Sequence, residues 1–191
     1  MAAYARGWFP MDAPGASGPV GLYECDPRGV MPIEGFRVPR SVARGLRRGG
    51  YEIRLDGDFD GVAAECADRP GEAVWLTPRL LAAYGRLHRL GVAHSVEAWR
   101  DGSLRGGLFG VALGGLFTSE SMFHRAPDAG SAALVATAAM LREAGFALWD
   151  IQMTSPHTER FGAEGIAPAE YRRRLRLAMK ARPRPLRAPA G

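Results

Sequence analysis

Two polar residues follow a short apolar run late in the chain, and their spacing could place reactive groups on one surface. The run Phe146-Ala-Leu-Trp149 is typical of a buried strand, and Asp150 and Gln152 come directly after it. Because successive side chains of a strand point to opposite faces, Asp150 and Gln152 should face the same way. Polar groups at the end of a strand indicate a site rather than a core. The residues alone leave a second interpretation open, in which the pair only caps the end of a strand.

A glycine-rich hairpin precedes this strand and should bring further polar groups close to it. The segment 106–117 reads GGLFGVALGGLF, and Thr118-Ser-Glu-Ser121 ends it. Glycines inside a strand indicate a bulge, or the close approach of a ligand or another backbone. A helix is expected from about Ser131 to Ala144, because its apolar residues recur at helical spacing and Gly145 follows as a stop. This hairpin, helix and strand are expected to surround a site.

The remaining segments alternate between strand and helix signals. Strands are predicted over Tyr51–Leu55 and Ala93–Trp99, with Asp101-Gly102 as a hairpin turn. Helices are predicted over 40–48, 59–67, 78–90 and 168–180. This order indicates an α+β fold, and it suits an acetyltransferase-like (GNAT-type) mixed sheet with flanking helices.

The composition excludes several classes of protein. With 191 residues and 47% hydrophobic residues, the chain suits one large domain, or one domain with a small appendage. No apolar run approaches the roughly 20 residues of a membrane span, and the first residues lack the apolar segment of a secretory signal. Cys25 and Cys66 do not have metal-type spacing, and the four histidines are scattered. We therefore expect no zinc site and a reducing, cytoplasmic setting.

The positive net charge is concentrated at one end of the chain. From Tyr171 onward the chain has eight Lys and Arg residues and no acidic residue. Because these eight positive charges exceed the net charge of +5, the rest of the chain has a net negative charge. A basic tail can hold phosphates by releasing counterions. A solvated end is the alternative. The sequence predicts that residues 181–191 form a disordered basic tail.

An ordered set of short motifs resembles the leucyl/phenylalanyl-tRNA–protein transferases over roughly residues 3–171. The motifs are Tyr4-Ala-Arg-Gly-Trp-Phe-Pro10, Asp26-Pro27-Arg28, Trp75-Leu-Thr77, Ala83-Tyr84, Leu87-His88, Gly91, Ala93-His-Ser-Val-Glu97, Gly106-Gly107, Gly110-Val-Ala112, Glu120-Ser-Met-Phe123 and Asp150-Ile-Gln152. Each motif alone is a weak signal, but the set in this order and spacing is specific.

The resemblance implies an enzyme of the bacterial N-end rule. Such an enzyme takes leucine or phenylalanine, and sometimes methionine, from aminoacyl-tRNA. It joins that amino acid to the α-amine of a protein that begins with Arg or Lys, which marks the protein for degradation. The implied fold is a small N-terminal domain, truncated here to residues 1–35, before an acetyltransferase-like catalytic domain at 36–180. Neither a metal nor coenzyme A is implied.

The resemblance also assigns roles to the polar residues named above. It implies that Asp150 and Gln152 are the catalytic relay pair and that Glu120 binds the acceptor protein. A carboxylate is the expected partner for an N-terminal Arg or Lys and its ammonium group. Ser155 stands where some members carry an Asn linked to acceptor binding. A surface Glu in a turn is the alternative for Glu120.

Further residues are implied to bind the aminoacyl-tRNA. Leu108 and Phe117 would line the pocket for the transferred side chain, with Thr137 and Leu141 at positions where the family carries aromatic residues. Trp75 would lie near the terminal adenosine of the tRNA. Phosphates of the acceptor stem would contact the basic helix residues Arg40, Arg44, Arg47 and Arg48. The alternatives are core packing for the apolar residues and Trp75, and a solvated surface for the arginines. His88 and His94 are interpreted as structural.

Two other functions stay open at this point. A coenzyme A-dependent N-acetyltransferase could share the fold, but the segment 125–130, RAPDAG, does not fit its glycine-rich pyrophosphate loop. A non-catalytic protein that binds tRNA or an N-terminal degron is the second alternative. The shortened N-terminal segment favours it, and retention of Glu120, Asp150 and Gln152 argues against it.

Overall fold

The computed structural model describes residues 1–68 and 74–188. Its strands form a two-stranded sheet, β1-β2, and a seven-stranded mixed sheet in the order β4-β5-β6-β7-β8-β3-β9. The strands are β1 (Phe9–Met11), β2 (Gly21–Tyr23), β3 (Arg28–Met31), β4 (Glu52–Leu55), β5 (Ala93–Arg100), β6 (Ser103–Leu113), β7 (Leu116–His124), β8 (Leu148–Gln152) and β9 (Glu164–Ile166). The helices are α1 (Arg40–Gly49), α2 (Phe59–Ala67), α3 (Pro78–Arg89), α4 (Ala129–Ala144), α5 (Pro156–Glu159) and α6 (Pro168–Ala178). A 3₁₀ turn spans Tyr4–Arg6.

The parallel pair in the large sheet is β7 with β8, and it determines where α4 lies. Neighbouring strands from β4 to β7 pair antiparallel, with β5 and β6 joined by the turn at Asp101-Gly102. A parallel pair cannot be joined by a tight turn, so the chain crosses over through α4 between β7 and β8. The hairpin, helix and strand expected from the sequence are therefore confirmed.

The two faces of the sheet carry separate core clusters. Leu108, Phe117 and Trp149 point to the face covered by α4 and belong to the first cluster. Phe109 points to the other face and packs with Tyr84 of α3 in the second cluster. Leu108 and Phe109 point to opposite faces because side chains alternate along a strand. For the same reason, the sequence neighbours of Phe117 and Trp149 point to the face opposite α4.

Glycine at position 106 is required by close packing between β6 and α4. A Cβ atom there would lie 2.7 Å from the Ala129 Cβ atom and 2.8 Å from the Gly130 backbone nitrogen. The glycine-rich pattern thus reports the approach of another backbone at this position, as the sequence suggested.

Several sequence-based expectations need correction or addition. The α+β class with a mixed sheet and flanking helices is confirmed, and α2 spans the predicted residues. The short elements α5 and β9 were not predicted. Strand β3 lies inside the large sheet between β8 and β9, so residues 28–31 belong with the predicted catalytic domain rather than with the segment 1–35. The acetyltransferase-like assignment and the division into two domains stay predictions.

The C-terminal segment contacts the rest of the protein. The Arg184 backbone N–H donates to the Ala144 carbonyl at 2.8 Å, and Leu186 packs against the first core cluster. Residues 181–188 form no helix or strand, and the disordered basic tail at 181–191 stays a prediction. Residues 189–191 lie outside the described residues.

Candidate active site

The candidate site lies where β7 and β8 separate. The last residue pair of their ladder joins Thr118 to Asp150, and Glu120 and Gln152 each follow two positions later in their strands. Phe117 and Trp149 point towards α4, so Thr118 and Asp150 point to the opposite face, where the Tyr84 hydroxyl also contacts Glu120. The structure therefore places Glu120 near Asp150, whose carboxylate accepts from the Gln152 backbone N–H, and the catalytic role of the three residues stays a prediction.

Glu120 sits in a β-bulge that orients its side chain. Phe109 pairs with Ser121 and Gly110 pairs with Ser119, which leaves Glu120 as the extra residue of β7. Bulges re-aim side chains and are frequent beside active sites. The Tyr84 hydroxyl donates to Glu120 Oε2 at 2.8 Å, and the Tyr4 hydroxyl lies 3.1 Å from that of Tyr84.

Burial changes the acidity of this group of side chains. It raises the pKa of Glu120 to about 7, with the hydrogen bonds from Tyr84 and Tyr4 lowering it and the charge of Asp150 raising it. Burial, followed by the charge of Glu120, raises the pKa of both tyrosines well above the ordinary value. Of these three groups, Glu120 is therefore the one that changes protonation near neutral pH.

Asp150 is a buried carboxylate whose oxygens are fully engaged. Arg28 donates through Nε to Oδ1 at 2.9 Å and through Nη2 to Oδ2 at 2.6 Å. The Tyr171 hydroxyl donates to Oδ2 at 2.7 Å, and the Gln152 backbone N–H donates to Oδ1 at 2.9 Å. Only 1% of Asp150 is exposed. Asp150 is therefore part of a buried network with its own protein partners, and a catalytic role for the pair stays a prediction.

Arg28 is held as tightly as the carboxylate it serves. Only 2% of it is exposed, and its guanidinium lies 4.9 Å from the Phe9 ring centroid and 4.7 Å from that of Tyr171. Its Nη1 donates to the Gly7 carbonyl at 3.0 Å. Burial lowers the pKa of Arg28, but the hydrogen bonds and charge of Asp150 outweigh that effect and the net pKa is raised. Arg28 therefore stays charged and supplies the counter-charge that a buried Asp150 requires.

Gln152 has a backbone conformation that is uncommon for its residue type. Its φ is +57°, in the left-handed region, and the register of β3 against β8 leaves Ile151 as an extra residue just before it. The bond from the Gln152 N–H to Asp150 Oδ1 holds this conformation. Strained backbone of this kind clusters at functional sites because the surrounding structure must enforce it. Asp150 therefore positions Gln152 through the main chain.

Three polar side chains of β7 and β8 each have a buried atom without a hydrogen-bond partner. Within the described residues these atoms are Thr118 Oγ1, Glu120 Oε1 and Gln152 Nε2, and Arg105 Nε and His157 Nε2 are unpaired as well. Buried polar atoms are normally paired, and each exception calls for an explanation. Glu120 and Gln152 therefore have hydrogen-bonding capacity that no other group of the described residues uses.

A cleft of about 680 Å³ opens near the same ends of the strands. It is bounded by the end of β7, the N-terminus of α4, α1 and the turn into α5. Ser155 and His157 line it, as do Ser131 and Arg160. Ser155 also caps α5, because its hydroxyl accepts from the Thr158 backbone N–H at 3.2 Å. Burial, reinforced by the charge of Arg160, lowers the pKa of His157.

The predicted pocket for the transferred side chain is closely packed protein core. Leu108 and Thr137 are 1% exposed, and Phe117 and Leu141 are 0% exposed. They lie on the α4 face, on the other side of the sheet from Asp150, and the Thr137 hydroxyl donates to the Ala133 carbonyl. The contacts match the alternative of core packing, and a role in substrate binding stays a prediction.

Trp75 and the arginines of α1 have different surroundings. Trp75 is half-buried against the second core cluster and does not line the cleft. Arg40, Arg44, Arg47 and Arg48 are exposed on α1, and none of them pairs with an acidic side chain among the described residues. Helix α1 borders the cleft through Val42. The structure therefore places an unneutralised basic surface beside the cleft.

The His-Ser-Val-Glu motif of β5 is a structural support. His94 Nδ1 lies 2.7 Å from Asp56 Oδ2, and His88 Nδ1 lies 2.9 Å from the Ala93 carbonyl. Glu97 is 0% exposed and accepts from the Ser95 hydroxyl, the Trp99 indole and the Asp58 backbone N–H. This network holds the turn into α2, as expected for residues interpreted as structural.

Sequence reasoning missed the partners of the acidic residues. Arg28, Tyr84 and Tyr4 occur in quoted motifs, but they lie 122, 36 and 116 positions from the carboxylates they serve. Tyr171 stands at the end of the similar region, with nothing around it to indicate a site. Only an alignment that reports residues varying together could have linked them.

The described residues contain neither a cluster of metal ligands nor a helix that could span a membrane. Within residues 1–68 and 74–188, no three His, Cys, Asp or Glu side chains are grouped as metal ligands. In the same ranges, every helix is too short or too polar to cross a bilayer.

Comparisons with known proteins agree on one family. A family model described as "Leucyl/phenylalanyl-tRNA protein transferase" matches residues 30–176. Proteins named leucyl/phenylalanyl-tRNA–protein transferase are similar to this chain over most of its length. The protein from Rubrobacter xylanophilus is 51% identical over 93% of this chain and 91% of its own, and that from Ruegeria pomeroyi is 47% identical over 92% and 83%. The protein from Akkermansia muciniphila is 43% identical over 94% of each chain.

One solved structure is similar in outline. It is a C-terminal domain assigned to a lysylphosphatidylglycerol synthetase from Agrobacterium fabrum, and the match covers 91% of this chain and 60% of that chain. The TM-score is 0.43 at 16% identity, which supports no argument about fold or function.

Proposed function

This chain belongs to the leucyl/phenylalanyl-tRNA–protein transferase family, and we propose that it moves leucine or phenylalanine from aminoacyl-tRNA to proteins that begin with Arg or Lys. Transfer of an aminoacyl group from tRNA to a protein is the enzymatic activity of the family. The choice of N-terminal Arg or Lys, and the marking of these proteins for N-end rule degradation, are parts of the proposal.

The observation that carries the proposal is the group of three unpaired polar atoms at the separation of β7 and β8. Aminolysis of an ester requires a neutral amine, a positioned carbonyl and a partner for the developing oxyanion. Gln152 can hold the incoming amine through its amide oxygen, and its unpaired Nε2 can donate to the oxyanion. The ester is already activated, so positioning two substrates side by side supplies much of the rate.

Each acidic residue has a separate part in this proposal. Asp150 holds Gln152 in its left-handed conformation through the backbone N–H. Glu120 lies near Asp150 and binds the cationic N-terminus of the acceptor protein. The ionised form of Glu120 favours a cation, because the carboxylate has no positively charged hydrogen-bond partner among the described residues.

The aminoacyl-tRNA would enter along the cleft. Its phosphates would contact the four arginines of α1, and the terminal adenosine with its ester would reach past Ser155 and His157 towards Gln152. Counterion release from those phosphates would make binding strongly dependent on salt. The pocket for the transferred side chain would require Leu108, Phe117, Thr137 or Leu141 to move, because the core is closed around them.

The test is transfer of radiolabelled leucine or phenylalanine from charged tRNA to a protein that begins with Arg, beside the same protein beginning with Ala. Label on the Arg protein only is expected, and the leucine to phenylalanine ratio reports the pocket. Label on neither protein, with tRNA still bound, would refute catalysis and favour a protein that only binds tRNA. Equal labelling of both proteins would refute the proposed acceptor choice.

A further inference from the structure

We propose that Glu120, and not Asp150, accepts the proton of the attacking amine, and that Asp150 is a positioning residue. This inference rests on the proposed function and names the residue that makes the acceptor amine nucleophilic.

The first argument is the full occupation of Asp150. A carboxylate offers about four lone-pair sites, and Asp150 receives four donors. Oδ1 accepts from Arg28 Nε and the Gln152 N–H, and Oδ2 accepts from Arg28 Nη2 and the Tyr171 hydroxyl. To take a proton, Asp150 would first have to lose one of these bonds and leave the buried Arg28 uncompensated.

The second argument is the free capacity of Glu120. Its Oε2 accepts from the Tyr84 hydroxyl, while its Oε1 is buried and lacks a hydrogen-bond partner within the described residues. The bulge in β7 directs this side chain to the face opposite α4, where Tyr84 contacts it, and this face also carries Asp150, which binds the Gln152 backbone N–H. An amine held by the Gln152 amide would therefore meet a carboxylate oxygen with a vacant lone pair.

The third argument concerns the charges that face Glu120. They are the hydroxyls of Tyr84 on α3 and Tyr4 on the 3₁₀ turn, the carboxylate of Asp150 on β8 and the guanidinium of Arg28 on β3. Burial dominates their combined effect and raises the pKa of Glu120 to about 7. A general base works best when its pKa lies near the working pH, because it is then both ionised and sufficiently basic.

The proton transfers balance without any further reactant. The acceptor enters as an ammonium and gives one proton to Glu120 Oε1, which leaves a neutral amine. The amine nitrogen bonds to the ester carbonyl carbon, and the carbon–oxygen bond to the ribose breaks. The second proton of the nitrogen passes to the leaving ribose oxygen. Glu120 returns its proton to solvent after the product departs.

A purely binding role for Glu120 makes different predictions. If its carboxylate paired with the Arg side chain of the acceptor, its loss would raise KM for the acceptor and erase the preference for a charged side chain. If it accepts the proton, its loss lowers kcat and leaves that preference intact. Glu120→Gln separates the two roles, because its amide oxygen can still accept from Tyr84 while the basic group is removed.

The experiment measures kcat and KM for wild type and Glu120→Gln with two acceptor peptides, one beginning with Arg and one with citrulline, its uncharged analogue. We expect kcat to fall by roughly 10²–10⁴-fold in Glu120→Gln, the usual contribution of a positioned base. Any change in KM should be the same for the two peptides, because both carry the same α-ammonium group, so the ratio of Arg to citrulline rates should equal that of wild type. Glu143→Gln makes the same chemical change on the exposed far end of α4 and should leave kcat unaltered.

The pH profile provides a second readout. The wild-type kcat should rise through a step near pH 7, and Glu120→Gln should lose that step. A Glu120→Gln protein with normal kcat, or with raised KM and no Arg preference, would overturn the inference. If wild type itself transfers no label, the proposed function has failed together with the inference. If wild type transfers label but Glu120→Gln gives one of these contradicting results, the inference alone has failed.

Discussion

Replacing Asp150 by Asn should destabilise the protein by about 3–5 kcal/mol, because it leaves the buried guanidinium of Arg28 without its counter-charge. The two residues are 1% and 2% exposed and are joined by two hydrogen bonds. Asn has nearly the same size as Asp, so the loss of stability would come from the lost charge and hydrogen bonds rather than from a cavity. Its amide would also present a donor to Arg28 Nη2 or to the Tyr171 hydroxyl, both of which donate to Asp150.

The magnitude follows from general stability scales. A domain has a free energy of unfolding of about 5–15 kcal/mol, so the loss is a third or more of the total for most of that range. For a chain of this size, each kcal/mol lowers Tm by about 2–4 °C, which gives a decrease of roughly 6–20 °C.

The assay is urea unfolding followed by tryptophan fluorescence, with Trp149 reporting from the residue next to Asp150. Arg28→Met and the double variant complete a thermodynamic cycle. We expect the double variant to cost less than the sum of the single variants, because neither leaves a buried charge behind when both are changed. Glu164→Gln, which removes an exposed partner of Arg174, is the matched control and should leave Tm unchanged within error.

Additive costs in this cycle, or a loss below about 1 kcal/mol for Asp150→Asn, would refute the reasoning. Either result would mean that water or a rearranged side chain solvates Arg28. The position of Asp150 at the end of a strand suggests that it can be replaced without affecting stability, whereas its burial predicts a loss of stability. The cycle distinguishes these two expectations.

Four further predictions follow from the same contacts. Burial raises the pKa of Glu120 to about 7, so the unfolded state releases this proton at lower pH than the folded state does. The stability that protonated Glu120 contributes is therefore present at pH 4 and is lost between about pH 4.3 and 7. Between pH 4 and pH 8, the free energy of unfolding of Glu120→Gln in urea titrations should rise by roughly 3 kcal/mol relative to that of wild type. Gln152→Ala should lower kcat by roughly 10²–10³-fold in single-turnover assays, since it removes the oxyanion donor, with a nearly unchanged Tm. Arg44→Ala should reduce the salt slope of tRNA binding by about 1, while Arg182→Ala at the far end of the molecule should not. Deleting residues 181–191 should lower Tm by a few degrees in thermal scans, since it removes the contacts of Arg184 and Leu186 with α4.

Each of these predictions has an outcome that would contradict it. A Glu120→Gln protein whose stability tracks wild type from pH 4 to pH 8 would show that Glu120 is solvated. Unchanged kcat in Gln152→Ala would remove Gln152 from the chemistry. Equal salt slopes for Arg44→Ala and Arg182→Ala would place the tRNA away from α1, and an unchanged Tm after truncation would show that the tail contacts contribute nothing.

Local pattern in the sequence determined the class of fold and the chemical candidates. The spacing of apolar residues predicts α2, α4 and β8 close to their observed bounds, because periodicity is a property of adjacent residues. Strand alternation alone did not predict the register shift at Ile151 or the left-handed backbone of Gln152, so a shared face for Asp150 and Gln152 stays a prediction. The ordered motifs identify the family, and the model match over 30–176 agrees.

Only the tertiary structure decided what surrounds those candidates. Arg28 reaches Asp150 across 122 positions of sequence, and no local pattern records such a pairing. The bulge at Glu120 depends on the register between β6 and β7, and the left-handed backbone of Gln152 depends on the hydrogen bond to Asp150. The basic composition of the tail does not record that the Arg184 backbone N–H donates to the Ala144 carbonyl at the end of α4. Burial, charge and register arise between distant segments, so only the fold shows that Asp150 accepts from four donors while Glu120 Oε1 accepts from none among the described residues.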